Sequence, residues 1–265
     1  MKKILLFFSI ILFLSACTGN QKTYYISMPN FKSTFEEHNN TNANSPKVKI
    51  NDVEIIKNTF YSSYFEQSTL NQRINKSLEL LKKQLLEDSK ALLQSKGYII
   101  DNENPDYAFN IVINASLYED KVTRNSSLGG DSVESSFMII LEAQSHLNNL
   151  HQEDTFQSTT SSAKLNDPII LNYPIKGQAS IESFREVYSA VPTQVNESLA
   201  ASALEIDKVF VAFYKEIASS LKTSIKEIKE KPKTQENSEV QDVKQDDKKE
   251  EKATPYQNNE VIIFE

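Results

Sequence analysis

The sequence predicts an α+β fold, in which two long amphipathic helices pack an antiparallel sheet between a disordered N-terminal tether and a disordered C-terminal tail. Apolar side chains recur at helical spacing in residues 70–92 and again in residues 195–228, and this predicts the two helices. Apolar and polar side chains alternate in residues 107–118, which predicts a strand with one buried face. Together the patterns indicate a single domain in which helices cover a sheet.

The N-terminal residues have the plan of a secretory signal. Lys2 and Lys3 precede an apolar run that ends at Leu14, and two small residues follow it. The run is shorter than the roughly 20 residues that a membrane-spanning helix needs, so removal is favoured over a permanent span. We therefore divide the chain into a signal peptide at 1–16, a lipidated polar tether at 17–46, a single α+β domain at 47–230 and a charged, disordered tail at 231–265.

The only cysteine in the chain is Cys17, directly after Leu14-Ser15-Ala16. A lone cysteine is ordinarily a buried, inert hydrophobe, but this position and these neighbours resemble the lipobox of bacterial lipoproteins. The resemblance implies that Cys17 takes a diacylglyceryl group and, after cleavage, a further acyl chain such as palmitate. Two or three chains give stable membrane attachment. In such lipoproteins, Thr18 in place of aspartate implies delivery to the outer membrane.

The predicted tether is polar, and residues 39–46 have almost no apolar side chains. Such a spacer would let an anchored domain stand away from the membrane. An alternative is that apolar residues dock part of it onto the domain, namely Tyr24, Tyr25, Ile26, Phe31 and Phe35.

The domain begins with one or two strands in residues 47–60. Ser68 or Thr69 then caps the first long helix, which ends at Lys96-Gly97. The apolar face of this helix is explained by a sheet that it covers. A helix of a second copy, and so a homodimer, is also conceivable.

The central strands follow the first helix. The alternating segment 107–118 is followed by a loop at 119–132, a returning strand at 133–147 and a more polar edge strand at 150–160. Residues 161–192 form a long connection, and the last helix begins near Thr193. At the end of the tail, Val261-Ile262-Ile263-Phe264 has no assigned role beyond a sheet edge or a partner contact.

Composition and motifs exclude several classes of function. The formal net charge is -7, and an acidic surface argues against binding nucleic acid. No phosphate-binding loop, zinc-protease or nucleophile-elbow motif occurs. His146 and His151 could form a metal pair only across a tight turn, and edge-strand histidines are the favoured interpretation. We expect no enzyme, no cofactor and no metal site.

Several short segments of the predicted helices and strands carry a family resemblance: Ala91-Leu92-Leu93-Gln94-Ser95-Lys96-Gly97-Tyr98, Phe137-Met138-Ile139-Ile140-Leu141-Glu142-Ala143, Glu153-Asp154-Thr155-Phe156 and the helical segments 198–204 and 209–221. They resemble the neuraminyllactose-binding haemagglutinin family of outer-membrane lipoproteins of Gram-negative bacteria. Together they span roughly residues 48 to 225. The resemblance implies a lipoprotein of mixed helix and antiparallel sheet that acts as a sialic-acid-binding adhesin.

The resemblance also implies where a glycan would bind. The basic cluster of the family corresponds here to Asp120-Lys121-Val122-Thr123-Arg124-Asn125, in which Lys121 and Arg124 supply the positive charge that a glycan carboxylate needs. The alternative is that both are solvated loop charges. Tyr173 and Tyr188 are further ligand candidates, because tyrosine rings stack on sugars, although such rings are more often core anchors.

Two functions follow from these expectations. The first is a non-enzymatic, adhesin-like outer-membrane lipoprotein that contacts sialylated glycans. The alternative is a periplasm-facing accessory lipoprotein that binds another envelope protein in assembly or transport. Both share the anchor and the fold, and the sequence does not separate them.

Overall fold

The computed structural model describes residues 23–35, 40–127, 130–152, 156–175, 191–226 and 228. The predicted signal, Cys17, Tyr188 and the tail with its Val261-Ile262-Ile263-Phe264 end lie outside the described residues. The helices of the described part are α1 (Ser63–Glu66), α2 (Thr69–Ser95) and α3 (Glu197–Ser224). Its strands are β1 (Thr23–Tyr25), β2 (Lys47–Ile50), β3 (Glu54–Phe60), β4 (Ile99–Ile100), β5 (Tyr107–Ser127), β6 (Gly130–Asn149), β7 (Phe156–Lys164), β8 (Ile169–Pro174) and β9 (Gln194–Asn196).

The main sheet is mixed rather than antiparallel. Among the described residues its strand order is β4-β2-β5-β6-β7, with β3 also beside β5 and β8 also beside β6. β6 is antiparallel to β5, β7 and β8, whereas β2 and β3 run parallel to β5, and β2 runs parallel to β4. The predicted antiparallel sheet is therefore wrong for this edge. Parallel strands need a crossover connection. The helices α1 and α2, which lie between β3 and β4 in the sequence, provide it for the parallel pairs β2–β4 and β3–β5.

The alternation predicted for residues 107–118 is confirmed by burial. Phe109, Ile111 and Ile113 on β5 are at most 2% exposed, and the side chains between them are only partly buried. On β6 the same inward face carries Phe137 and Ile139, both 0% exposed. These side chains and the buried stripes of α2 and α3 belong to one hydrophobic core, which is the main source of stability in a domain of this kind.

Both ends of α2 follow local rules. The Oγ of Ser68 accepts a hydrogen bond from the Asn71 N–H at 3.1 Å, so Ser68 is the cap of the two predicted candidates. The helix ends at Ser95, and Gly97 follows with a φ of 90°, a left-handed conformation that glycine adopts without steric cost.

The last helix is shorter than predicted, because β9 occupies Gln194–Asn196 before α3 begins. α3 contacts β7 and β8, and the Ser161 Oγ on β7 donates to the Ser220 Oγ on α3 at 3.1 Å. α2 contacts α3, β2 and β3. No helix in the described part of the chain is long and apolar enough to cross a membrane.

Residues 23–35, which belong to the predicted tether, pack against the domain. β1 pairs antiparallel with β9 in a separate two-stranded ribbon, which we call the β1–β9 ribbon. Phe31 is 6% exposed and its ring lies 5.5 Å from that of Tyr214 on α3. The Tyr214 hydroxyl lies 2.9 Å from the carbonyl oxygen of Lys32. This part of the predicted tether is therefore docked.

Arg73 on α2 fastens the docked segment through contacts that we call the Arg73 clamp. Its side chain is 0% exposed. The guanidinium donates to the carbonyl oxygens of Ile26 at 2.9 Å, Ser27 at 2.6 Å and Pro192 at 3.0 Å. Asp207 on α3 accepts from Nε at 3.1 Å and from Nη2 at 2.5 Å. One buried cation thus joins both long helices to the N-terminal segment.

The β5–β6 hairpin extends much further than predicted. The two strands stay paired from Asp120↔Ser136 to Ser127↔Gly130, so the loop predicted at residues 119–132 is wrong. Residues 120–126 are all exposed, and a strand with water on both sides has no alternation to reveal it. The long connection predicted at 161–192 likewise contains the end of β7 and all of β8.

Candidate functional site

The two predicted basic residues lie on the exposed part of the hairpin, and the structure holds them differently. Lys121 has a φ of 52° at a bulge, where β5 gains one residue on β6 between Asp120 and Thr123. The Arg124 Nε donates to the Asp131 Oδ2 at 2.9 Å, and its Nη2 donates to the same oxygen. Asp131 raises the pKa of Arg124 through these contacts. The guanidinium therefore already binds a carboxylate, the group that a sialylated glycan would offer.

Tyr173 lies in the core, where it positions neighbouring groups. It is 2% exposed, and its hydroxyl donates to the Glu119 Oε1 at 2.5 Å. The Glu119 Oε2 accepts from the Ser62 N–H at 2.8 Å, and the Tyr173 ring meets the Phe65 ring edge-on. Burial, and then the bond to Glu119, raise the pKa of Tyr173. Its hydroxyl is therefore not offered to a ligand at the surface.

The other candidates give no ligand site among the described residues. Tyr188 and Cys17 lie outside them. His146 is on β6, opposite Asn110, while the His151 Nε2 lies 3.4 Å from the Asp106 Oδ1. No group of three or more His, Cys, Asp or Glu side chains that could hold a metal occurs within the described ranges.

The sheet face opposite α3 carries several apolar side chains. Alternate residues of a strand point to opposite faces, and Ser161, which bonds to α3, lies in register with the inward residue Ala143. Residues in register on the outward face therefore point away from that helix. We call six of the apolar side chains on this face, from four strands, the apolar stripe: Ile56, Phe60, Tyr118, Met138, Ile140 and Ile170.

Two rings of the apolar stripe are stacked on each other. The rings of Phe60 and Tyr118 have centroids 5.1 Å apart and an interplanar angle of 2°. Tyr118 in turn pairs with Met138 across the hairpin. Phe60 is 59% exposed and Ile170 is 64% exposed. Large apolar side chains that are exposed close together mark interaction sites in soluble domains.

The sequence contains one indication of this surface that the alternation of apolar and polar residues does not reveal. Residues 137–141 are five apolar side chains in succession, so both faces of β6 are apolar there. Phe60 and Ile170 come from strands that are distant in sequence, and only the sheet register brings them to Tyr118 and Met138. The surface is therefore a product of the topology.

Residues 1–18 match the model of the prokaryotic membrane lipoprotein lipid attachment site. The chain is a lipid-anchored bacterial lipoprotein. The matched residues include Cys17, the only cysteine of this lipoprotein. A search of curated proteins found no match.

Solved structures show distant similarity to the lipoprotein. A neuraminyllactose-binding hemagglutinin homolog from Helicobacter pylori is 14% identical with a TM-score of 0.37, over 72% of this chain and 92% of that one. A minor lipoprotein from Acinetobacter baumannii is 9% identical with a TM-score of 0.21, over 68% of this chain and 92% of that one. At these values neither similarity assigns the lipoprotein to a family.

Proposed function

We propose that the chain is a non-enzymatic outer-membrane lipoprotein, held by lipid on Cys17, that binds a protein of the cell envelope through the apolar stripe. The observation that carries the proposal is the stripe itself. Its six apolar side chains stand on the outward face of the sheet, and two of its rings are stacked and exposed. Apolar surface left in water costs about 25 cal/mol per Å², which a partner recovers by covering it.

The contacts around the predicted glycan residues favour a protein over a sialylated glycan. A glycan carboxylate would have to displace Asp131 from Arg124, and the Tyr173 hydroxyl already bonds to Glu119. The centres of protein interfaces are apolar and rich in aromatic side chains and methionine, as the stripe is with Phe60, Tyr118 and Met138. The protein partner corresponds to an accessory role in assembly or transport, and the glycan partner to an adhesin.

Photo-crosslinking in living cells tests the protein partner. A photoreactive amino acid at Tyr118 should give a discrete protein adduct. The matched control is the same amino acid at Gln144, which is exposed on the outward face of β6 but outside the apolar stripe. We expect no adduct at Gln144 and a weaker adduct at Tyr118 when Phe60→Ser is added. Equal adducts at both positions, or none at either, would count against the stripe.

A glycan array separates the adhesin from the accessory protein. The variant to compare with the natural chain is Lys121→Gly with Arg124→Ala, because glycine keeps the left-handed conformation at the bulge while removing the charge. Binding to sialylated glycans that this variant loses would establish the adhesin. Protease added to intact and to permeabilised cells then shows whether the domain faces the surface or the periplasm.

A further inference from the structure

We infer that the β1–β9 ribbon, with Tyr25 exposed on it, rests in the headgroup region of the membrane that anchors the chain. The inference needs the lipid on Cys17, but it does not depend on any partner of the apolar stripe. The two surfaces have different roles: the ribbon contacts the bilayer, and the apolar stripe does not.

The first step is the length of chain between the lipid and the domain. Cys17 carries the acyl chains, whose insertion holds its backbone at the membrane surface. Only residues 18–22 separate Cys17 from Thr23, the first residue of β1. An extended chain spans about 3.5 Å per residue, so β1 lies within roughly 20 Å of the lipidated residue.

The second step is that the domain releases no further chain. Thr23 pairs with Asn196 and Tyr25 with Gln194, and the Ile26 N–H donates to the Thr193 carbonyl oxygen at 2.8 Å. Directly beyond, the Arg73 clamp holds the carbonyl oxygens of Ile26 and Ser27. The predicted spacer therefore ends at the ribbon, and the lipid anchor holds this end of the domain close to the membrane.

The third step is the chemistry of the exposed side chains at this end. Tyr25 is 73% exposed and Tyr24 is 45% exposed. Val191, whose carbonyl oxygen accepts from the Gln194 N–H, is 43% exposed. Tyrosine has an apolar ring and a polar hydroxyl, and it is enriched where a membrane meets water. The connecting residues contain Lys22 and no acidic residue, while Glu197, directly after β9, accepts a hydrogen bond from the Tyr24 hydroxyl.

Fluorescence quenching tests the inference, because the natural chain contains no tryptophan. The full lipidated chain with Tyr25→Trp is reconstituted into vesicles of phosphatidylethanolamine and phosphatidylglycerol, with and without lipid brominated near the headgroup. We expect the emission of the Tyr25→Trp chain to lie at shorter wavelength in vesicles than in water, and brominated lipid to reduce its intensity about twofold or more, as for an interfacial aromatic ring.

Two controls keep the result decisive. The lipidated Phe60→Trp chain places its only tryptophan in the apolar stripe, and its emission should not change with brominated lipid. The Tyr25→Trp chain that also carries Cys17→Ser should not be quenched when it is added to the same vesicles. Equal quenching of the two lipidated chains, or quenching of Phe60→Trp alone, would overturn the inference.

A longer connection tests the role of the short one. A flexible Gly-Ser segment inserted between Gly19 and Asn20 lowers the effective concentration of the ribbon at the membrane. Quenching of the Tyr25→Trp chain should then fall, and undiminished quenching would show that chain length does not hold the ribbon in place.

Discussion

At the scale of single residues, Arg73 is the side chain on which several elements converge. It is fully buried, yet five hydrogen bonds to Asp207 and to carbonyl oxygens of Ile26, Ser27 and Pro192 satisfy its guanidinium. A buried charge is tolerated only when its partners replace water in this way. Removing it therefore leaves a partly buried carboxylate and three carbonyl groups without their donor.

We predict that Arg73→Ala lowers the free energy of unfolding by about 3–5 kcal/mol, because the partly buried Asp207 carboxylate and three backbone carbonyl groups lose their donor. Lys76→Ala is the matched control on the same helix, since the Lys76–Glu79 pair is solvent-exposed and should change stability by less than about 0.5 kcal/mol. Urea unfolding of both variants measures the difference. Similar losses for the two would show that the clamp adds no stability.

Tyr173→Phe tests whether that tyrosine belongs to the core. The substitution keeps the ring but removes the hydroxyl that donates to Glu119, so it should cost about 1–3 kcal/mol of stability. Tyr118→Phe, on the exposed stripe, should leave stability nearly unchanged. Chemical denaturation of both variants gives the comparison. Unchanged stability with lost ligand binding in Tyr173→Phe would instead indicate a contact residue.

The stability of the fold should depend on pH through Asp101. The Lys47 ammonium group, followed by the N–H groups of Glu103 and Asn104, lowers the pKa of Asp101 to about 2. Its unfolded pKa is about 3.9, so its contribution is present above pH ~4 and is lost as the pH falls through ~2. We predict that Asp101→Asn flattens the loss of stability between these values, as measured by urea unfolding at several pH values. A slope equal to that of the natural chain would contradict this assignment.

At the scale of elements, local patterns predicted what local chemistry decides. The repeat from Leu70 to Leu92 and the hydroxyl of Ser68 were sufficient for α2, and alternation was sufficient for the buried part of β5. The direction of β2 and β3 was not predictable, because a parallel and an antiparallel neighbour bury the same alternate residues. The end of β5 was missed because its residues 120–126 are all exposed, so no alternation of buried and exposed side chains marks it.

The bulge at Lys121 gives a prediction for the hairpin. A side chain at a φ of 52° is strained unless the residue is glycine, and a β-branched residue is the least tolerated there. Lys121→Val should therefore be less stable than Lys121→Gly by about 1–2 kcal/mol. Thermal unfolding of both variants, compared with the natural chain, measures this. If the two are equally stable, the bulge does not impose that backbone conformation in solution.

At the scale of the whole molecule, the candidate site was harder to predict than the fold. Lys121 and Arg124 came from a resemblance, and the structure places one at a strained bulge and the other in an ion pair. The apolar stripe joins β3, β5, β6 and β8 through contacts between distant parts of the chain. Its members become neighbours only after the sheet is assembled, so no sequence window contains them.

The anchor gives a prediction for the whole chain in the cell. Cys17→Ala removes the only thiol and should leave an unlipidated protein that is either unprocessed or soluble in the periplasm. Metabolic labelling with palmitate, together with fractionation of membranes, measures both changes. A variant that is labelled, processed and membrane-bound like the natural chain would show that another residue carries the anchor.

The β1–β9 ribbon also imposes an order on folding. Tyr24 and Glu197, which share a hydrogen bond, are 173 residues apart, whereas β5 and β6 meet across a short turn. Contacts between distant residues close slowly, so the strand next to the lipid is expected to find its partner last. The docking of β1, next to the lipid, thus requires that β9 has already been synthesised. A chain interrupted before Gln194 would keep its lipid but would have no strand on which β1 could pair.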